Sequence, residues 1–293
     1  MPKLRAGSEA AARLLESDAA EEWAAAFACY EDSVRRLSEE KGRLGLVELD
    51  AWWRTELPST LRSRTPESYL TKDELVKVVR WKLWMGVVRP NLLRFATETD
   101  PKQVKAKSRE AFRFLPENSS LSTPPCEGGG DSAAARISRG PLKNAVTALT
   151  AELKGVGPAT ASAVLAAACG GCPFDADEVI DAVMMTGTRK YSLPEYLQVQ
   201  ETLEEKAVSL GNPWDAERVR KALWSQAMHS RFGLVVTPCP GAGTPCSRGE
   251  GASASGEDVD GGERKRGKCR KSCDAAGGGG KEKSDEKRHR SRR

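Results

Sequence analysis

The sequence predicts an all-α fold, on three observations. Apolar residues recur at three- and four-residue spacing in one segment after another. Helix-start signals precede several of those segments, among them the S/T-x-x-E patterns at Thr71 and Ser192. No segment shows sustained apolar/polar alternation of strand length, and there is no internal repeat. With 293 residues and 39% hydrophobic content the chain can bury a sizeable core, and one helical domain over 1–235 is expected.

In chain order, the first helix is predicted from Ser8 to about Lys41, with Trp23, Phe27, Tyr30, Val34 and Leu37 on one face and Gly42 and Gly45 ending it. A short apolar run follows (Leu46, Leu49, Trp52, Trp53), then a turn-forming stretch around Pro58 and Pro66. Thr71 opens the next helix, since its hydroxyl and the Glu74 carboxylate can each satisfy a free backbone N–H; Leu75, Val78, Val79 and Leu83 continue it inward. Met85-Gly86 and Arg89-Pro90 break it before Asn91. Asp100-Pro101 starts another helix that ends near Pro116. Residues 117–138, rich in Ser, Pro and Gly, read as a flexible insertion. Pro141 opens a helix carrying Leu142, Ala145, Val146 and Leu149, and further helices begin near Asp177, at Ser192 and at Asp215, the last stopping near Gly233. From 236 to 293 glycine, serine and charge dominate, which predicts a disordered basic tail.

Charge is unevenly divided. Of the formal net +5, residues 261–293 hold 13 Lys/Arg against 5 Asp/Glu, which leaves about −3 for the first 260. Attraction to nucleic acid must therefore come from the tail or from a local patch. The tail's two basic clusters, Arg264–Lys271 and Lys287–Arg293, have the pattern of a nuclear address or a non-specific nucleic-acid arm. No stretch approaches the roughly 18 apolar residues of a membrane span, and the N-terminus lacks a signal-peptide core, so an intracellular, nuclear placement without membrane contact is the expectation.

Eight cysteines are scattered through the chain, which favours free thiols in a reducing compartment. Cys169-Gly170-Gly171-Cys172 has the spacing of a metal half-site, yet no second ligand pair stands at a suitable distance, so buried thiols and no metal are expected. Trp81 and Trp84, among Lys77, Arg80, Lys82 and Arg89, fit a core-facing stripe with a solvated basic side better than a nucleic-acid platform. His229 reads as a packing or surface residue.

The richest local pattern is Leu153-Lys154-Gly155-Val156-Gly157-Pro158-Ala159-Thr160-Ala161. Two glycines permit a tight turn between helices, the valine between them can point inward, and Pro158 loses no hydrogen bond at a helix start. The free N–H groups of that start, with the positive end of the helix dipole, suit a phosphate oxygen. A ligand-free turn between helices is the plainer reading of the same residues.

The run from Leu153 to Val183 resembles the helix-hairpin-helix of the endonuclease III and alkyladenine class of DNA glycosylases. Their pattern is L-P-G-V-G-x-x-T-A, an alanine/valine helix, G-x-P and a catalytic aspartate. The resemblance implies a helix-hairpin-helix over 142–168 and DNA-backbone contact at Gly155, Val156, Gly157, Ala159 and Thr160. Without a gap, it also lays Asp177 on the catalytic aspartate, implying excision of a flipped base with the carboxylate stabilising a cationic sugar or activating water. Ala159 stands where the strand-cleaving members carry lysine, so lyase chemistry is not implied, and the four-cysteine iron–sulfur loop is absent, so no cofactor is expected. After the aspartate the family has Val or Thr and then His, where this chain has Glu178-Val179. Asp177 is alternatively the N-cap of its helix. A monofunctional glycosylase, a DNA-binding module without chemistry and a protein-interaction domain all remain open.

Overall fold

In the computed structural model, which describes residues 6–64, 66–116 and 136–236, all regular structure is helical and all described residues fall in one compact unit. The helices are α1 (Ala6–Glu16), α2 (Ala20–Ala28), α3 (Tyr30–Lys41), α4 (Leu46–Ala51), a π turn (Trp52–Glu56), α5 (Leu57–Ser63), α6 (Lys72–Met85), α7 (Pro90–Glu98), α8 (Pro101–Phe112), α9 (Arg139–Thr150), α10 (Pro158–Ala168), α11 (Asp177–Met184), α12 (Leu193–Leu210) and α13 (Ala216–Arg231). No helix among the described residues is long and apolar enough to cross a membrane. The expected insertion over 117–138 and the expected tail over 236–293 both fall almost wholly outside the described residues.

The helix expected from Ser8 to Lys41 is three helices. Its apolar stripe is continuous, but α1 leaves the line at Ser17, whose Oγ accepts from the Ala19 N–H at 3.2 Å and whose carbonyl accepts from the Trp23 indole at 2.9 Å. The helix breaks there, and α1, α2 and α3 each pack on α13. At α1 that approach is close: a Cβ on Gly7 would lie 2.6 Å from the Ala227 carbonyl oxygen, so only glycine fits.

The turn expected around Pro58 is also helix. From Leu46 to Ser63 the chain stays helical through the π turn, and Pro58 lies in the first turn of α5, where its missing N–H is tolerated. Trp53, carried on the π turn, stacks on Trp81 of α6 at 3.7 Å between ring centroids, and its indole donates to the Ala163 carbonyl of α10. Trp81 is thus a core residue, as its spacing predicts, and its own indole donates to Asp50. Asp50 is buried and saturated, accepting also from Tyr30 at 2.9 Å and from Arg54 at 2.7 Å.

The capping box at Thr71 forms with both of its hydrogen bonds. At Ser192 only half of the box forms: the hydroxyl accepts from the Glu195 N–H, whereas the Glu195 carboxylate reaches back to the amides of Lys190 and Tyr191. Helix α7, which the proline at position 90 starts, has no counterpart in the sequence reading beyond the break before Asn91.

Two groups of helices meet around α10. Helices α1, α2, α3, α11 and α12 surround α13, while α6 gathers α4, α7, α8 and α10. Every side chain from Ala159 to Ala167 is buried, which explains a composition of Ala, Ser, Thr, Val and Leu all round the helix. The segment from Cys169 to Ala176 then runs between the two groups, and that position decides the site.

Candidate functional site

Helix α9 ends at Thr150, and residues 151–157 turn the chain into α10. Gly155 has φ +79°, and a Cβ there would come within 2.7 Å of the Phe95 ring of α7. Both facts exclude other residues. Val156 is buried under the turn. Gly157 is the exposed N-cap of α10, with no side chain capping the helix start. Thr160 and Ala161 donate to the Gly157 carbonyl at 2.9 Å and Val156 donates to Leu153, so these amides are engaged. The amides of Gly157 and Ala159 have no intrahelical acceptor and face the start of the helix dipole. The Lys154 ammonium sits 4.7 Å from the Phe95 ring centre, which adds positive charge beside the turn. Gly155→Ala is expected to cost about 2–4 kcal/mol, combining a left-handed backbone with overpacking against Phe95. Urea unfolding checks it, and an unchanged midpoint would refute the packing described.

Asp177 is the first residue of α11, and Ala176, not Asp177, is the N-cap: its carbonyl accepts from Val179 and Ile180. Both oxygens of the carboxylate accept a hydrogen bond. Its Oδ2 accepts from Arg189 Nη1 at 3.1 Å, and its Oδ1 accepts from the Tyr191 hydroxyl at 3.0 Å. Arg189 also grips buried Asp181 with Nε at 2.8 Å and Nη2 at 2.5 Å. Tyr191 reaches Asp177 from a left-handed backbone, φ +50°, in which the Glu195 carboxylate holds its amide at 2.7 Å. A non-glycine residue kept in that region is a strained conformation that surrounding bonds must enforce. The Arg89 guanidinium lies 5.2 Å from the Tyr191 ring centre.

Two residues earlier, Asp175 is only 2% exposed and neither of its oxygens has a hydrogen-bond partner among the described residues. Its main chain is fixed: its amide donates to Ser162 Oγ at 3.0 Å, the Phe174 amide donates to Glu217, and the Tyr196 hydroxyl donates to the Pro173 carbonyl. Burial, reinforced by Glu195 and Asp177 and opposed by Lys82, pushes the Asp175 carboxyl up to about 7. Burial likewise pushes the Lys82 ammonium down. Asp175, Asp177, Lys82, Arg89, Tyr191 and Phe174 line one narrow cleft between α6 and α11, and a wider groove lined by Arg43, Val87, Met228 and Arg231 opens on the other side of Asp177.

Of the residues expected from the sequence, Gly155, Val156, Gly157, Ala159 and Thr160 sit together at the start of α10, with the side chains of Val156, Ala159 and Thr160 buried, so only backbone atoms are presented there. Asp177 stands apart, at the cleft. Cys169 and Cys172 are buried, and a hydrogen bond between them together with burial pushes the Cys172 thiol up, the behaviour of inert thiols. No group of His, Cys, Asp or Glu among the described residues is arranged to hold a metal. His229 is a buried packing residue of α13. The sequence reading missed Asp175, Arg189, Tyr191 and Lys82. The Asp-x-Asp spacing was a signal for the first, but nothing local joins Lys82 to residues almost a hundred positions away. No protein-family model matches the chain, and no curated protein or solved structure matches it either.

Proposed function

We propose that this protein holds the DNA backbone through a helix-hairpin-helix formed by α9 and α10 and excises a base, without strand cleavage, at the cleft beside Asp177. The observation that carries the reading is that the gapless spacing from Leu153 ends on a carboxylate lining a cleft whose rim includes Lys82, Arg89 and Tyr191. A fixed negative charge lowers the energy of the cationic sugar that forms as an N-glycosidic bond breaks. Ala159 at the position of the family's lysine leaves water as the nucleophile. Backbone amides at Gly157 and Ala159 would hold phosphate without reading sequence. The basic clusters of the tail add a non-specific arm and a nuclear address to this reading. A second reading, DNA binding without chemistry, is favoured by the engagement of both Asp177 oxygens.

The test uses the full chain and duplexes with and without an abasic-site analogue across a salt series. Wild type is expected to prefer the analogue, and Gly157→Asp to bind it at least about tenfold more weakly, a difference of about 1.4 kcal/mol. Equal binding by the two proteins would remove the phosphate grip. Lesion-dependent base release by wild type and its loss in Asp177→Asn separate excision from binding alone.

A further inference from the structure

Asp177 already holds two hydrogen bonds, from Arg189 at 3.1 Å and from the Tyr191 hydroxyl at 3.0 Å, both of which favour its charged form. Asp175 has no such bond. Its carboxyl lines the same cleft, and the three backbone clamps on 173–175 leave it little freedom to turn elsewhere. A buried carboxyl without a hydrogen-bond partner is destabilising. Beside it the cleft has room for about one water molecule. The charged and titratable groups around it are Lys82 on α6, Asp177 and Glu178 on α11, and Glu195 and Tyr196 on α12, with Arg89 and Tyr191 on the cleft wall.

We propose that Asp175 is the general base of the site, taking a proton from a water molecule held in the cleft while Asp177 supplies fixed negative charge. This rests on the base-excision reading above. The water oxygen bonds to C1′ of the sugar as the N-glycosidic bond breaks, and the electron pair of that bond leaves with the base. One water proton passes to the Asp175 carboxylate and from there through solvent to a nitrogen of the departing base. The products are the free base and an abasic site carrying a C1′ hydroxyl. A base with its proton affinity set near neutrality suits this task.

The test is a single-turnover pH profile of base release from lesion-containing duplexes, for wild type, Asp175→Asn and Asp175→Glu, with the Asp175 carboxyl titrated by carbon NMR in the free protein. The expected result is a rate that rises with pH to a plateau above about 7, a carboxyl step at the same pH, a loss of about a hundredfold or more in Asp175→Asn with the rising limb abolished, and partial return of the limb in Asp175→Glu. Base release with the same profile in wild type and Asp175→Asn would overturn the proposal and leave base excision standing. So would a carboxyl step below pH 5. Absence of base release by wild type from every lesion duplex would overturn the base-excision reading, and this role with it.

Discussion

Glu217→Ala is expected to destabilise the fold by about 4 kcal/mol or more, the largest effect of any single change proposed here. Arg220 of α13 is completely buried, with its Nε 3.1 Å from Glu217 Oε2 and its Nη2 on Oε1. The same Oε2 accepts from the Phe174 amide at 3.0 Å, so one carboxylate neutralises a buried cation and also ties down the segment that carries Asp175. Removing it leaves a buried guanidinium uncompensated, at about 3–5 kcal/mol, and an orphaned amide at about 1–3 kcal/mol, offset in part by relaxation. Arg220→Met alone should cost less, because Glu217 keeps the Phe174 amide and has Lys221 3.8 Å away. The pair Glu217→Leu with Arg220→Met should recover much of the loss, since replacing both members of a buried ion pair by apolar side chains avoids the desolvation cost. Urea midpoints for wild type, Glu217→Leu, Arg220→Met and the double variant measure the coupling, and a double variant no more stable than Glu217→Leu would show that the pair does not act as a unit.

Asp175→Asn is expected to do the opposite above neutral pH: it should stabilise. The Asp175 carboxyl titrates at about 7 in the folded chain against 3.8 for an ordinary aspartate. Its folded value is raised, so the folded state binds more protons between those two pH values and stability falls as pH climbs through them. Below about pH 4 both states are protonated and wild type and variant should match. Well above pH 7 the full penalty is present, about 4 kcal/mol at one pKa unit per 1.36 kcal/mol. Carboxylates held low by cationic partners, such as Asp32 beside Arg36 and Glu40 beside Lys41, push the wild-type curve the other way. The quantity to measure is therefore the difference between the two proteins from pH 4 to 9. A flat difference would mean that Asp175 ionises as an exposed aspartate does. A variant that is more stable but inactive is the pattern expected when a strained polar group is kept for chemistry.

Helical class, the Thr71 box, the Asp100-Pro101 start and the Asp215 cap were legible in the sequence because each rests on bonds within four residues. The turn between α9 and α10 was legible for the same reason: Gly155 and Gly157 declare it before any partner is known. The three-way division of 8–41 was not legible, since an apolar stripe keeps its period across a break that only α13 imposes. Nor was Pro58 inside a helix, where a π turn absorbs what a proline normally ends.

What the sequence determined by itself is a helical chain with a glycine-bounded turn followed, eighteen residues after Ala159, by a carboxylate. What the tertiary structure decided is which carboxylate is available. Asp177 is engaged by Arg189 and Tyr191, while Asp175 is left without a partner at a seam between two helical groups. Local sequence records backbone bonds and periodicity, whereas the proton affinity of a side chain depends on burial and on charges brought beside it from elsewhere in the chain, here Lys82, Asp177 and Glu195.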